Sequence, residues 1–162
     1  MSKKLYGLLN NRLEEGHNFT GRELQTGDDI TMYLWSDRAC YYITDVIDQK
    51  RIKVKRYNVC ADHSKPGGMG HQDWVYFKSL REMHDYLGLD HWTDEEYEQA
   101  DREETWVFRY GKWMEEYTFT EDNYCSDRER ASLAKKGYYK RYYELSGKVS
   151  FGRRDYHYDW EF

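Results

Sequence analysis

Proline occurs once in these 162 residues, at Pro66, and cysteine three times, at Cys40, Cys60 and Cys125. Three well-separated cysteines, odd in number, argue against a disulfide framework and fit a reducing interior, so a cytoplasmic setting is expected. Long apolar runs are missing as well. The opening MSKKLYGLLNNRLEEG has two lysines but only a brief apolar stretch, too short for a signal peptide, and nothing approaches a membrane span of about 20 residues. No membrane partner is expected. Nor is there a positive balance: 25 Lys and Arg face 30 Asp and Glu, a formal charge of -5, which removes the overall basic footprint of a nucleic-acid binder while leaving local patches open. No specific catalytic motif is present either. Gly67-Gly68-Met69-Gly70 lacks the strand–GxxxxGK–helix context of a P-loop.

What the chain has is aromatic side chains. Charged residues make up 34% and mean hydropathy is -1.11, a disorder signature on its own, but 17 Tyr, 6 Trp and 6 Phe supply a core that the few aliphatics cannot. Each ring buries about 150–250 Å², and Tyr and Trp need a polar partner, so many rings should sit near the surface with their polar ends outward. The length fits one domain over residues 1–162, since single domains run to about 100–150 residues before chains split.

Hydrophobic periodicity predicts the elements. Residues 3 to 15 have helical spacing up to Gly16. A three-strand meander follows over 27–57, in which Tyr41, Ile43, Asp45 and Ile47 alternate with Cys40, Tyr42, Thr44 and Val46, and Asp48-Gln49-Lys50 turns into Ile52, Val54 and Arg56. Residues 58–73 read as a Gly-rich loop, followed by a strand from Trp74 to Phe77. A helical insert spans 79–104: capping boxes at Ser79–Glu82 and Thr93–Glu96 open a helix ending near Gly88 and an acidic helix to about Glu103. Hairpins are expected over 105–119, turning at Gly111-Lys112, and 138–162, turning at Ser146-Gly147, with a helix from a third box at Ser126–Glu129 to Gly137 between them. The fold class is therefore α+β: a strongly bent, mostly antiparallel sheet or a small SH3-like or Tudor-like β-barrel with two or three short helices.

Charge is uneven along this plan. The first 81 residues carry 13 basic and 10 acidic groups, leaving 12 and 20 for the rest, and from Asp90 to Glu104 eight carboxylates face Arg102 alone. Such a run is a solvated face or a mimic of a nucleic-acid backbone.

WSDR at Trp35–Arg38, the following YYITDVI, the CADHSKPGGMGHQDW loop and the ending SGKVSFGRRDYHYDWEF resemble a family of small proteins carried by bacteriophages and integrated elements of Gram-positive gut bacteria. Gly152, Arg154, Tyr156, Tyr158, Asp159 and Phe162 match its C-terminal Gly-x-Arg-x-Tyr-x-Tyr-Asp-x-x-Phe pattern loosely in spacing. The resemblance implies a setting, not an activity: a phage or mobile-element accessory protein in a bacterial host cell, of a kind that often antagonises host defence by binding a defence protein or its nucleotide signal.

Four constellations are candidates for binding. Cys60, His63 and His71 begin a zinc-like pattern without its second close pair, and the plain alternative is an exposed polar loop. In the same loop Lys65 and His71 flank glycines whose N–H groups could form an anion nest. On the third meander strand Arg51, Lys53 and Lys55 form a basic stripe, with Arg38 nearby; a lysine-guarded edge strand reads the same way. Finally Tyr139, Lys140, Arg141, Tyr143, Arg153, Arg154 and Tyr156 combine cations that hold phosphate with rings that stack on bases, or else are tyrosines half-buried in a hairpin. The leading expectation is a non-enzymatic protein that sequesters a nucleotide second messenger, without a cofactor. The alternatives are an acidic inhibitor of a host defence protein and a β-barrel nucleic-acid module; a homo-oligomer is kept open. A metal-dependent nuclease on His63, His71 and Asp73 is the enzymatic alternative.

Overall fold

The computed structural model describes residues 14–62, 64–65, 72–123, 127 and 130–158. The helix expected over 3 to 15 and the capping box at 126–129 lie largely outside these residues, as does Cys125. Ten strands and three helices are described: β1 His17–Asn18, β2 Asp29–Tyr33, β3 Arg38–Asp48, β4 Arg51–Arg56, β5 Asn58–Ala61, β6 Trp74–Phe77, α1 Leu80–Leu87, α2 Asp94–Ala100, β7 Glu104–Arg109, β8 Lys112–Phe119, α3 Arg130–Lys136, β9 Tyr139–Glu144 and β10 Lys148–Phe151. Eight strands form one sheet in the order β1-β10-β2-β3-β4-β7-β8-β9, antiparallel except for the short β1–β10 pair, while β5 and β6 pair separately.

One face of the large sheet carries the core. Ile30, Met32, Ala39, Tyr41, Ile43, Ile52, Val54, Trp106, Trp113, Val149 and Phe151 cluster there, as the period of two in their strands dictates. On the other face Cys40, Tyr42 and Tyr57 are covered by Val59, Tyr76 and Tyr156. β2 and the first half of β3 therefore have both faces buried, which explains their apolar runs, whereas β4 keeps Arg51, Lys53 and Lys55 half-exposed on its second face. In β3 the expected alternation holds only to Ile43. Register shifts flank Asp45, so Val46 packs against the main core and Ile47 is half-exposed, the reverse of the sequence expectation.

The sheet is open and strongly bent. No ladder joins β9 to β10 among the described residues, so the predicted hairpin over 138–162 is corrected: β9 pairs with β8 and β10 with β2. The three residues between them reach at most about 14 Å, so the two ends of the sheet curve round toward each other. Trp113 of β8 meets Phe151 of β10 edge-on, centroids 5.3 Å apart. Across the same seam the Glu15 carboxylate accepts from the Trp113 N–H at 3.1 Å and the Val149 N–H at 3.4 Å. Pairing with β2 buries Val149 and Phe151 to 1% exposure, a gain that a local hairpin with half-exposed β9 would forgo.

Other boundaries move by less. The 58–73 loop begins as strand β5. The acidic helix stops at Ala100, and Glu104 belongs to β7. The β7–β8 turn is Tyr110-Gly111, with φ of 54° and 75°. Both central residues of a type I′ turn take positive φ, so glycine sits at the second position and not the first.

Candidate functional site

The helical insert is built around a buried polar pair. Ser79 caps α1 by accepting from the Glu82 N–H, Gly88 ends it in the left-handed region, and Thr93 and Glu96 close a full capping box on α2. These caps hold His84 and Tyr97 on facing sides, where His84 Nδ1 and the Tyr97 hydroxyl lie 2.8 Å apart and both rings are buried. The Trp92 N–H also donates to the Tyr97 hydroxyl, at 3.0 Å, and Trp92 stacks on the Tyr97 ring. Asp101 then ties the insert to the rest of the chain by accepting from Asn58 Nδ2 at 2.9 Å and from the Leu80 N–H at 3.0 Å.

What remains faces water. Trp92 is 49% exposed and Leu89 53%, and Tyr86 is also exposed. Asp94 is matched by Arg81, Glu103 by Lys53, and Asp85 by His91. For Asp90, Glu95 and Glu98 no partner occurs among the described residues. The insert thus carries both exposed aromatic and aliphatic side chains and three carboxylates without a partner among the described residues.

Between this insert and β4 lies a cleft of about 490 Å³, lined by Lys55, Ser79, Arg81, Tyr97, Asp101 and Arg102, with Glu98 and Glu103. Its volume suits a small molecule. Its charge is mixed, because three carboxylates share the walls with the three cations.

The structure distributes the cations predicted from sequence instead of gathering them. Lys53 lies 3.7 Å from Glu103, and Glu116, almost wholly buried, takes both Arg51 at 3.1 Å and Lys140 at 3.4 Å. Only Lys55 of the stripe enters the cleft. Arg38 pairs with Asp155 at 2.5 Å and its backbone bridges to His157, so residues 153–157 are strapped over the outer face. That strap explains Arg153 and Arg154: the first sits over Phe19 at 3.8 Å, the second over Tyr76 at 4.1 Å and Tyr57 at 5.2 Å. Tyr156 meets Trp74 edge-on and its N–H donates to the Tyr76 hydroxyl, at 3.0 Å. Tyr139, Arg141 and Tyr143 lie opposite Phe119, Tyr117 and Glu115 on β8. Trp35 projects from the corner at 93% exposure, so it is Arg38, not Trp35, that anchors the WSDR turn.

The glycine-loop candidates His63 and His71 lie outside the described residues. Cys60 is half-buried on β5, its thiol pushed up by burial and by nearby Asp62. Lys65 donates its backbone N–H to the Asp62 carbonyl. Among the described residues no three His, Cys, Asp or Glu side chains cluster as metal ligands, and no helix is long and apolar enough to cross a membrane.

One group escaped the sequence reading. Glu104 and Glu115, on adjacent strands of the core face, share Arg102, whose Nη2 lies 3.7 and 3.3 Å from them and 3.4 Å from the Tyr117 hydroxyl. Burial and the neighbouring Glu115 charge push Glu104 up to about 7. The buried Trp106 Nε1–H lies toward Glu104 without a hydrogen bond of normal geometry. Two carboxylates eleven positions apart meet only because the β7–β8 register brings them together. Hairpin pairing was the signal available in the sequence.

Comparison of the chain with protein-family models, with curated proteins and with solved structures finds no match.

Proposed function

We propose that this chain is a non-enzymatic binding protein of the phage-accessory kind, one that antagonises host defence by docking its acidic insert in the nucleic-acid groove of a host defence protein. The observation that carries this reading is the charge accounting. Most of the candidate cations are answered by carboxylates or rings of the chain itself, whereas Asp90, Glu95 and Glu98 have no partner among the described residues, and Asp90 lies between exposed Leu89 and Trp92 in the chain. Aromatic anchors inside a complementary charged field are what a protein interface uses: the rings supply most of the affinity, the charges steer the encounter and select the partner.

Sequestration of a nucleotide signal is the second reading, favoured by the 490 Å³ cleft and its Lys55, Arg81 and Arg102. Glu98, Asp101 and Glu103 in the same walls oppose an anion, which ranks this reading below the first. A nucleic-acid module would bind with an affinity that falls steeply with salt.

Two titrations separate the readings. In the first, restriction endonucleases and RNA-guided nucleases loaded with fluorescent duplex DNA are titrated with the protein; release of duplex from at least one is the expected result. In the second, cyclic oligonucleotides and ADP-ribose derivatives are titrated calorimetrically, and no heat is expected. Heat in the second without release in the first replaces the docking reading with sequestration.

A further inference from the structure

The two edges of the large sheet are unequal. β1 is two residues long, whereas β9 offers six, Tyr139–Glu144, and no strand pairs with its outer side among the described residues. A long edge is a template for another strand unless something guards it. β9 carries Lys140 and Arg141, the usual guards, but it also carries Glu144, four positions from Lys140, and that spacing matters.

Consider the same edge presented by a second copy, running antiparallel about a two-fold axis normal to the sheet. Opposed residues must then share a face, which allows only registers centred on a residue. Centring on Arg141 opposes the two guanidinium groups. Centring on Tyr142 opposes Lys140 with the partner's Glu144, Arg141 with the partner's Tyr143, and Tyr142 with itself. Opposite charges facing each other across an antiparallel pair are stabilising, like charges destabilising.

The charges inside each copy extend the match. On the outer face Lys140 already lies 3.4 Å from Glu116 of β8, and Glu144 pairs with Lys112 of β8. Across four strands of the joined sheet the row reads Lys112, Glu144, Lys140 and Glu116, alternating in sign, and the two-fold repeats it in reverse. Glu144 is 68% exposed, so its carboxylate has an open side for the second lysine. Tyr143, exposed on the core face beside the Tyr117 ring, adds apolar area at the same edge.

We propose that the chain forms a symmetric homodimer by antiparallel β9–β9 pairing centred on Tyr142. Such an interface is isologous and closes on itself, so it stops at two copies. Six residues a side is a small contact, placing the dimer at the weak end of specific association. The proposal stands independently of the acidic insert, which lies elsewhere in the chain.

The test is a pair of charge reversals, Lys140→Glu and Glu144→Lys, followed by sedimentation equilibrium over a concentration series. Wild type is expected to dimerise. Each variant alone opposes like charges twice, and its dissociation constant should rise about tenfold or more. Mixed one to one, the variants restore opposite charges at both contacts. The new carboxylate at position 140 of one faces the new ammonium at position 144 of the other, and the unaltered Glu144 faces the unaltered Lys140. The mixture should therefore regain most of the wild-type association. The intramolecular pair that each variant loses is lost equally alone and in the mixture, so folding differences cancel. A monomeric wild type, or a mixture that associates no better than its components, overturns the proposal. Tyr142→Pro, which removes an N–H at an edge strand where proline is tolerated, should yield a monomer with an unchanged far-ultraviolet spectrum. A Tyr142→Pro protein that still dimerises would overturn it as well.

Discussion

Glu104 is a carboxyl group that the fold holds partly in its acid form. Its folded value of about 7 stands above the ordinary 4.5, because burial and Glu115 outweigh Arg102. A group raised on folding binds more protons in the folded state than in the unfolded one over the interval between the two values, so its contribution to stability grows as pH falls from about 7 to about 4.5. Glu104→Gln removes that dependence. The variant should be more stable than wild type at pH 8, by on the order of 2 kcal/mol, with the difference shrinking through the window and vanishing only below about pH 4.5, as read from urea midpoints. Asp28 works in the opposite sense: Arg22, bound at 2.6 Å, holds it below its ordinary value, so its contribution is lost on acidification. Tyr110 offers a second check on single residues. It occupies the left-handed region at φ 54° and is 80% exposed, losing little but a contact with Arg109 if replaced. Tyr110→Asn should stabilise the hairpin by about 0.5–1 kcal/mol, because asparagine tolerates that conformation. A neutral or destabilising result would mean that the ring does more than its exposure suggests.

At the scale of elements, Gly147 is the hinge of the fold. A Cβ there would collide with the Tyr33 carbonyl oxygen, and that close approach lets the chain pass from β9 to its place beside β2. Gly147→Ala should cost about 1–3 kcal/mol in a thermal or urea melt, since backbone, not a flexible side chain, must give way. This passage also marks how far the elements were legible. The meander, the β7–β8 hairpin and the caps of α1 and α2 could be read from local signals, because Ser79, Thr93, Gly88 and Gly111 act on their own neighbours. The β9–β10 hairpin failed for the opposite reason. Ser146-Gly147 is a good turn locally, and only the burial of Val149 and Phe151 against distant strands decides that it is a crossing instead. Ile47 was misplaced on the same grounds, since a register shift depends on the neighbouring strand.

For the whole molecule, charge separates fold from function. Arg38, Lys53, Lys140, Arg153 and Arg154 were recognisable as cations in aromatic company, and their partners Asp155, Glu103, Glu116, Phe19 and Tyr76 lie at sequence distances no local pattern reveals. These five cations, which read as part of a nucleotide patch in one dimension, have internal partners in three. The acidic insert was legible, because its carboxylates are neighbours in sequence and α2 leaves Glu95 and Glu98 in water. Reversing the three unanswered charges, Asp90→Lys with Glu95→Lys and Glu98→Lys, therefore decides the matter in the duplex-release titration against whichever nuclease the wild type displaces. The insert's caps and the His84–Tyr97 pair are untouched, so the variant should fold. Docking through the insert predicts that it releases duplex at least about a hundredfold less effectively than wild type, as expected when like charges oppose a basic groove. Release at wild-type concentrations by the folded variant would contradict it.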